Sequence, residues 1–350
     1  MKNLRAERHH TVSVAPSAAD AMPRATPRLS RLRHPATPRA GSPARQRGMA
    51  VVSALIVVAI VAALTSSLFL RQTSAIRQIE NEQARIQARW LLLGGIDWSR
   101  LLLRDNARAE ATVRRDQLWA TPVMDTRIEG DQTGDDAVFA GNIHDEQGKY
   151  NLYNLATHGL LNRAEVEKLS RLLNMLRLPD TLATQMAMQI ALTQSRQPTG
   201  DAALQDDPNI GTQAPQPRGI DDFAALFHIE GPALQNVRRT LTILPEPTQV
   251  NVNTAEPEVI AAIVTGLSLS QARTLVGERD RGRWFINDGD FKNRLSSYGD
   301  ELEIPAVTAT SEWFVADGTV AYMRSRVSMQ ALLNLSGTRT PRTVWIRETP

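Results

Sequence analysis

The sequence contains no cysteine in its 350 residues, and its six histidines are scattered. Disulfide scaffolds, thiolate zinc sites and a cysteine nucleophile are therefore excluded. No histidine shares helix-face spacing with a second histidine or an acid, so a catalytic zinc site is not expected. A Gly-rich phosphate loop and a nucleophile elbow with its partners are also missing. We therefore expect a protein that is not an enzyme.

An excess of basic over acidic residues is missing outside the N-terminal part of the chain. Residues 1–48 carry ten Lys or Arg and two acids, which leaves 30 basic and 35 acidic residues in the rest. The formal net charge of +3 thus comes from the N-terminal extension alone. A basic net charge would normally indicate nucleic-acid binding, but the chain after residue 48 carries more acidic than basic residues.

Charge is absent from a run of 22 residues, Met49–Leu70, which lies between Arg47 and Arg71. As a helix this run would be about 33 Å long, enough to cross a hydrocarbon core of about 30 Å. A buried core helix is the alternative, but the length and the flanking arginines favour a membrane span. Because basic flanks stay in the cytoplasm, we expect a single pass through the inner membrane with the C-terminal bulk in the periplasm.

This apolar run allows two kinds of processing. A secretory signal peptide would be cleaved after the run, where the candidates are Ala62, Ala63, Ser66 and Ser67, but the run is too long for that class. Cleavage before the run would fall between Gly48 and Met49. A basic stretch that ends in Gly and precedes an unbroken apolar helix resembles a type IV prepilin leader. The resemblance implies cleavage after Gly48 by a prepilin peptidase and methylation of Met49.

The leader, residues 1–48, is long, rich in Pro, Ala and Arg, and has no apolar periodicity. One explanation is that translation begins at Met22. A solvated cytoplasmic tail is the other.

Beyond the membrane span, the helical pattern continues without Pro to about Arg104. Its apolar residues approximate one face and are Ile76, Ile79, Ile86, Trp90, Leu93 and Leu101. We expect this face to pack on a globular domain. Gly94-Gly95 predicts a kink or a close contact in the helix.

The remaining pattern predicts an α+β fold, in which the long N-terminal helix packs on an antiparallel, pilin-like sheet. A β-hairpin is expected from Ala137–His144 and Lys149–Leu155, and further strands from Glu312–Ala316, Thr319–Leu333 and Thr343–Arg347, with turns at Asp317-Gly318 and Ser336-Gly337. The stretch between these strands is helical. The predicted domains are the leader 1–48, the transmembrane helix 49–70, a pilin-like domain of 71–156 and 304–350, and an inserted all-α domain, 157–303.

Two stretches carry a family resemblance. Asn142–Leu155 is similar to a strand that ends in an Asn-Leu-Asn-Asn-Leu-like run, and Leu244–Val259 contains an Asn-x-Asn-Thr-Ala element at Asn251–Ala255. With the prepilin-like leader, they resemble general secretion pathway protein K, a minor pseudopilin of the type II secretion system. Thr254 is a plausible cap for the helix that follows, with Pro257 in its first turn.

The resemblance implies a position at the pseudopilus tip, where such subunits start assembly and limit growth. Its implied partners are other minor pseudopilins through the N-terminal helix, the prepilin peptidase and the inner-membrane assembly platform, with no nucleic acid. Ser53 occupies position five of the mature chain, where most pilins have Glu. A tip subunit lacks the neighbour with which that Glu pairs, and an unpaired buried carboxylate is costly. Alternatively, Ser53 is a neutral helix residue without positional meaning.

Calcium is the candidate cofactor, because protein K subunits bind it through an acidic loop of the inserted domain. The corresponding candidates here are Asp201, Asp206 and Asp207 with Asn209, followed by Asp221 and Asp222. However, Ala191–Gln197 replaces the acid-rich run that the family has before this loop. A solvated acidic loop is the alternative.

Residues Pro257–Leu295 resemble a helix-hairpin-helix, which in other proteins grips the DNA backbone. Its hairpin, Thr265–Leu269, has one Gly and no nearby Lys, and the surrounding arginines alternate with acids. Packing within the inserted domain is therefore favoured. A membrane-tethered DNA receptor is the alternative function, and an anchored periplasmic enzyme is a third.

Overall fold

The computed structural model describes residues 47–129, 136–196, 211–299, 301–337 and 339–349. The chain divides into two compact units, Met1–Leu68 and Phe69–Pro350. In the first unit, the described residues belong to a helix with exposed apolar side chains. All packing described below lies within the second unit.

Eight helices are described. They are α1 (Arg47–Ala109), α2 (Arg163–Met175), α3 (Thr181–Thr193), α4 (Ile220–Leu226), α5 (Gly231–Thr240), α6 (Pro257–Ile263), α7 (Leu269–Arg279) and α8 (Asp288–Leu295). Nine strands accompany them: β1 (Val123–Ile128), β2 (Ala137–Asp145), β3 (Tyr150–Asn151), β4 (Ala156–Thr157), β5 (Leu160–Leu161), β6 (Leu241–Thr242), β7 (Trp313–Tyr322), β8 (Ser325–Asn334) and β9 (Arg342–Thr349).

The main sheet is five-stranded and antiparallel, with the order β1-β2-β7-β8-β9. Neighbouring β2 and β7 come from opposite sides of the helical stretch, with Ala137 paired to Tyr322 and Asp145 to Phe314. The chain thus leaves the sheet after β2, forms α2–α8 and returns as β7. The predicted fold class is confirmed, whereas the predicted domain boundaries at 157 and 303 stay a prediction.

The predicted hairpin after β2 is wrong. Only Tyr150–Asn151 of the second run is extended, and it pairs in parallel with Leu241–Thr242 instead of with β2. On the edge away from β7, β2 pairs in antiparallel fashion with β1, a strand that was not predicted from the sequence. Four of the six β1 residues are exposed, so the strand lacks the buried alternation that would have revealed it.

The predicted turn at Asp317-Gly318 is also wrong, because β7 continues through both residues and the chain reverses after Tyr322. Gly318 lies under α1. A β-carbon on it would lie 2.9 Å from Cδ2 of Leu92. The glycine therefore permits close helix–sheet contact and does not mark a turn.

Helix α1 packs on the sheet through a different face from the predicted one. The buried side chains are Ala84, Ala88, Leu92, Ile96, Ser99 and Leu103. Of the predicted face, Leu93 is half-buried and packs against this core, whereas Ile76, Ile79, Ile86, Trp90 and Leu101 are exposed. Ala84 and Ala88 let the helix axis approach the sheet, and Leu92, Ile96 and Leu103 fill the space between them. Gly94-Gly95 does not interrupt α1, and Gly95 packs against Phe139, so the predicted close contact is confirmed.

The helical stretch has its own core. It is built from α2, α3, α6 and α7, with Leu169, Leu172 and Ile260 fully buried, and it also takes in Tyr150 and Leu155 from the segment after β2. Separate apolar clusters lie between α1 and the sheet.

Candidate functional site

The predicted membrane segment lies at the start of α1. From Met49 to Leu68 the apolar side chains are exposed, and of the residues that the structure describes only this helix is long and apolar enough to cross a membrane. The backbone of Gly48 is helical, as α1 begins at Arg47. Ser53 is exposed, and its hydroxyl donates a hydrogen bond to the carbonyl oxygen of Ala50 at 3.0 Å. Cleavage at Gly48–Met49 stays a prediction.

The calcium candidates Asp201, Asp206 and Asp207, with Asn209, lie outside the described residues. Asp221 and Asp222 are in the first turn of α4, where Oδ1 of Asp221 accepts a hydrogen bond from Nε of Arg238 at 2.6 Å. Within the described ranges, no three His, Asp or Glu side chains are grouped so that they could hold a metal ion. Calcium binding therefore stays a prediction.

The two stretches that carry the family resemblance meet at one buried carboxylate, Asp145. Its Oδ2 accepts hydrogen bonds from the hydroxyls of Thr254 at 2.5 Å and Ser311 at 2.7 Å, and from Nδ2 of Asn251 at 3.0 Å. Its Oδ1 accepts a bond from the backbone N–H of Gln147 at 2.8 Å. Asp145 thus joins the end of β2 to the Asn-Thr-Ala element and to the segment before β7.

Burial raises the pKa of the Asp145 carboxyl, and the hydrogen bonds from Thr254, Ser311, Gln147 and Asn251 oppose that rise. The backbone makes room for this contact at Gly148, where a β-carbon would lie 2.6 Å from Oγ1 of Thr254. The predicted role of Thr254 as a helix cap is wrong: α6 begins after Glu256, and the Thr254 side chain points to Asp145. Pro257 is in the first turn of α6 as predicted.

Asparagine side chains extend this junction along the two stretches. Asn151 donates to the carbonyl oxygen of Glu246 at 2.8 Å and accepts from the N–H of Leu244 at 3.1 Å. Asn154 exchanges two hydrogen bonds with the backbone of Thr248. These amides satisfy the backbone of an irregular segment, which explains why Asn recurs in both stretches.

The helix-hairpin-helix is formed by α6, a hairpin at Thr265–Ser268 and α7. Gly266 has a φ of +87°, which suits glycine. The hairpin backbone is occupied, since Thr265 and Glu303 exchange N–H···O bonds of 3.1 and 3.2 Å. Gly266 also packs under Leu302. The hairpin therefore packs against its own chain, as the sequence predicts. This packing does not favour the alternative function of a DNA receptor.

A stripe of apolar side chains lies on α1 opposite its buried face. We call Ile76, Ile79, Ile86, Trp90 and Leu101 the exposed stripe, and Trp90 is 69% exposed. Trp90 is two residues from buried Ala88, and two residues turn a helix by about 200°. The prediction that these residues pack on the globular domain is wrong, because helical periodicity identifies an apolar face but not the surface that covers it.

A wide polar cleft of about 1140 Å³ lies on the sheet face that α1 does not cover. Its sheet side presents Val315, Asp317, Gln330, Leu332, Trp345 and Arg347, and its other side includes α5 and the start of α4. Burial raises the pKa of Asp317, and His144, whose Nε2 is 3.3 Å from Oδ2 of Asp317, opposes that rise. This polar cleft could not be predicted from the sequence, because it combines residues far apart in the chain.

Comparison with known proteins agrees with this architecture. Residues 250–310 match the family described as type II secretion system (T2SS), protein K. The type II secretion system protein K of Pseudomonas aeruginosa is 27% identical over 270 residues, which cover 73% of this chain and 79% of that protein. The protein of the same name from Pectobacterium carotovorum subsp. carotovorum is 23% identical, and the match covers 84% of this chain and 94% of that protein.

A solved structure shares the fold. The match is to the crystal structure of the GspK-GspI-GspJ complex from enterotoxigenic Escherichia coli, with a TM-score of 0.53 and 14% identity, and it covers 78% of this chain and 99% of that one. Residues 250–310 include the Asn-Thr-Ala element and the helix-hairpin-helix, so the matched segment contains Asn251 and Thr254, two of the residues that donate hydrogen bonds to Asp145. Members of that family are structural components of a secretion system, and the family is not known to contain enzymes. The chain is therefore similar to type II secretion system protein K along most of its length, in sequence and in fold.

Proposed function

We propose that the chain is held in the inner membrane by Met49–Leu70, with the residues that follow in the periplasm. Prepilin peptidase cleaves between Gly48 and Met49 and methylates Met49. The support is the basic stretch that ends at Gly48 and the uncharged run behind it. N-terminal sequencing and intact mass of the membrane-extracted protein test this: a methylated Met49 that depends on the peptidase is expected, and a chain that keeps residues before Gly48 would contradict it.

The mature protein then sits at the pseudopilus tip, where it starts assembly and limits growth together with other minor pseudopilins and the inner-membrane assembly platform. The related Escherichia coli chain was solved in a complex with GspI and GspJ. Ser53 at position five and the bulky helical insertion between β2 and β7 support a terminal position. Calcium binding through Asp201, Asp206 and Asp207 is part of this proposal and rests on the family resemblance.

The observation that carries the assembly role is the exposed stripe of α1. Five large apolar side chains lie on the side of the helix away from the sheet, with exposed fractions between 43% for Leu101 and 69% for Trp90. Apolar surface of this kind marks an interaction site in soluble parts of proteins. Since the stripe continues along the same helix that carries the membrane segment, the N-terminal helices of neighbouring minor pseudopilins are the fitting partners.

A pair of substitutions separates assembly from folding. Trp90→Ala should change the free energy of unfolding by less than about 0.5 kcal/mol, whereas Leu92→Ala in the buried face should cost about 2–4 kcal/mol. Secretion and co-purification with the other minor pseudopilins should nevertheless be lost with Trp90→Ala. Normal secretion by Trp90→Ala, Ile86→Ala and the double variant would refute the role of the stripe.

Because the chain has no cysteine, single-cysteine variants report contacts without background. Cysteines at Ile79 and Ile86 should form disulfides with cysteines in the α1 helices of other minor pseudopilins. A cysteine at Ser270, which is exposed on α7, is the matched control and should form none.

A further inference from the structure

The polar cleft holds two arginines that lack a carboxylate partner. Its other cations are paired: Arg115 and Arg239 with Glu256, Arg238 with Asp221, and Lys149 with Glu146. Among the described residues that line the polar cleft, Arg347 and Arg218 have no acid within ion-pair distance. Their positive charge is therefore available to a ligand.

Arg347 is fixed in position before any ligand arrives. Its Nε and Nη2 donate hydrogen bonds to Oε1 of Gln330 at 3.0 and 2.6 Å, and its guanidinium carbon lies 4.7 Å from the ring centre of Trp345. Gly219 leaves room beside it, because a β-carbon there would lie 3.0 Å from Nη1. Nη1 is bonded only weakly, to the carbonyl oxygen of Arg218 at 3.4 Å, so N–H donors remain free.

We propose that the polar cleft binds an acidic segment of a partner protein, with a carboxylate of that segment held by Arg347 and Arg218. A guanidinium that is already held in place by its neighbours loses little conformational entropy when it binds a carboxylate. Beside it, Val315, Leu332 and Trp345 form an apolar floor. The volume of about 1140 Å³ accommodates an extended peptide of several residues.

The distribution of charge favours a peptide over a nucleic acid. Glu146, Asp221, Glu256 and Asp317 line the same cleft, so its surface carries both signs of charge. A nucleic acid carries a charge on every phosphate and would meet these carboxylates along its length. A peptide can place a carboxylate on Arg347 and neutral side chains elsewhere.

Fluorescence anisotropy of a labelled hexaglutamate peptide with the full chain in detergent micelles tests the proposal. Hexaglutamate should bind at low salt and be released at high salt, whereas labelled hexalysine should not bind. Arg347→Gln should weaken hexaglutamate binding about tenfold, and the exposed Arg218→Gln about threefold. Arg342→Gln is the matched control, since Arg342 is an exposed arginine of β9 that does not line the polar cleft, and it should bind like the wild type.

Several results would overturn the proposal. These are no binding of hexaglutamate to the wild-type chain, equal binding by Arg347→Gln, or Arg347-dependent binding of labelled oligothymidylate without binding of hexaglutamate. Thermal unfolding of each variant shows whether it is folded. If Arg347→Gln is unfolded, the test rests on Arg218→Gln, and unchanged binding by that variant would refute the site.

Discussion

The hydroxyl of Thr254 donates a 2.5 Å hydrogen bond to the buried carboxylate of Asp145, across 109 positions of the chain. Asp145 ends β2 of the sheet, whereas Thr254 precedes the first helix of the helix-hairpin-helix. Ser311 donates to the same oxygen from the segment that leads back into β7. One side chain therefore connects the point where the chain leaves the sheet with the point where it returns.

Removal of this carboxylate should destabilise the whole second unit. Asp145→Ala leaves the Thr254 and Ser311 hydroxyls without their acceptor in a buried site, and a buried hydrogen-bonded group of this kind contributes about 2–4 kcal/mol. Urea unfolding followed by circular dichroism measures the loss. Glu167→Ala is the control, because Glu167 is an exposed carboxylate on α2, and it should cost less than about 0.5 kcal/mol. Equal stability of the two variants would mean that the junction does not hold the fold together.

The pH dependence of stability should carry a signature of Asp145. Its pKa is raised in the folded protein, so the folded state binds this proton more tightly than the unfolded state. Stability from this group is then fully present below the unfolded pKa of about 4 and falls as the pH rises through the raised folded pKa. Asp317 has the same direction of shift and contributes in the same sense.

Asp145→Asn removes one of these titrations. The free energy of unfolding, measured from about pH 4 to neutral pH, should fall less steeply for Asp145→Asn than for the wild type. Asp317→Asn provides the comparison for the second group. Identical pH profiles for wild type and Asp145→Asn would show that the Asp145 pKa is not raised.

Neighbouring glycines in α1 should respond oppositely to alanine. Gly94 has open space where a β-carbon would be placed, so Gly94→Ala should stabilise the protein by about 0.5–1 kcal/mol through helix propensity. At Gly95 the β-carbon would lie 2.7 Å from Cε2 of Phe139, and the same ring also packs on Gly141, so it has little room to move.

Gly95→Ala should therefore destabilise by about 1–2 kcal/mol, since overpacking outweighs the gain in propensity. Thermal unfolding of the two variants measures both effects. Stabilisation by Gly95→Ala would mean that α1 does not approach the sheet as closely as described.

The candidate membrane segment and the resemblance to protein K can be recognised from the sequence alone. A run of 22 uncharged residues needs no tertiary contact to be identified, since its length against the bilayer is a local property. The fold class followed from strands at both ends of a helical stretch. The Asn-rich elements can also be read from the sequence, and in the fold Asn151 and Asn154 hydrogen-bond the backbone of an irregular segment.

Which faces of the helices and strands are covered depends on the tertiary fold. The sequence placed Trp90 against the domain and Gly318 in a turn, whereas the fold buries Ala88 and Leu92 and runs β7 beneath them. An apolar periodicity is the same whether the domain or a partner subunit covers it, and a glycine serves close contact as well as a turn. The position of the Arg347 side chain likewise depends on Gln330, Trp345 and Gly219. Strand pairing and the packing of the segment before α4 bring these residues together from distant parts of the chain.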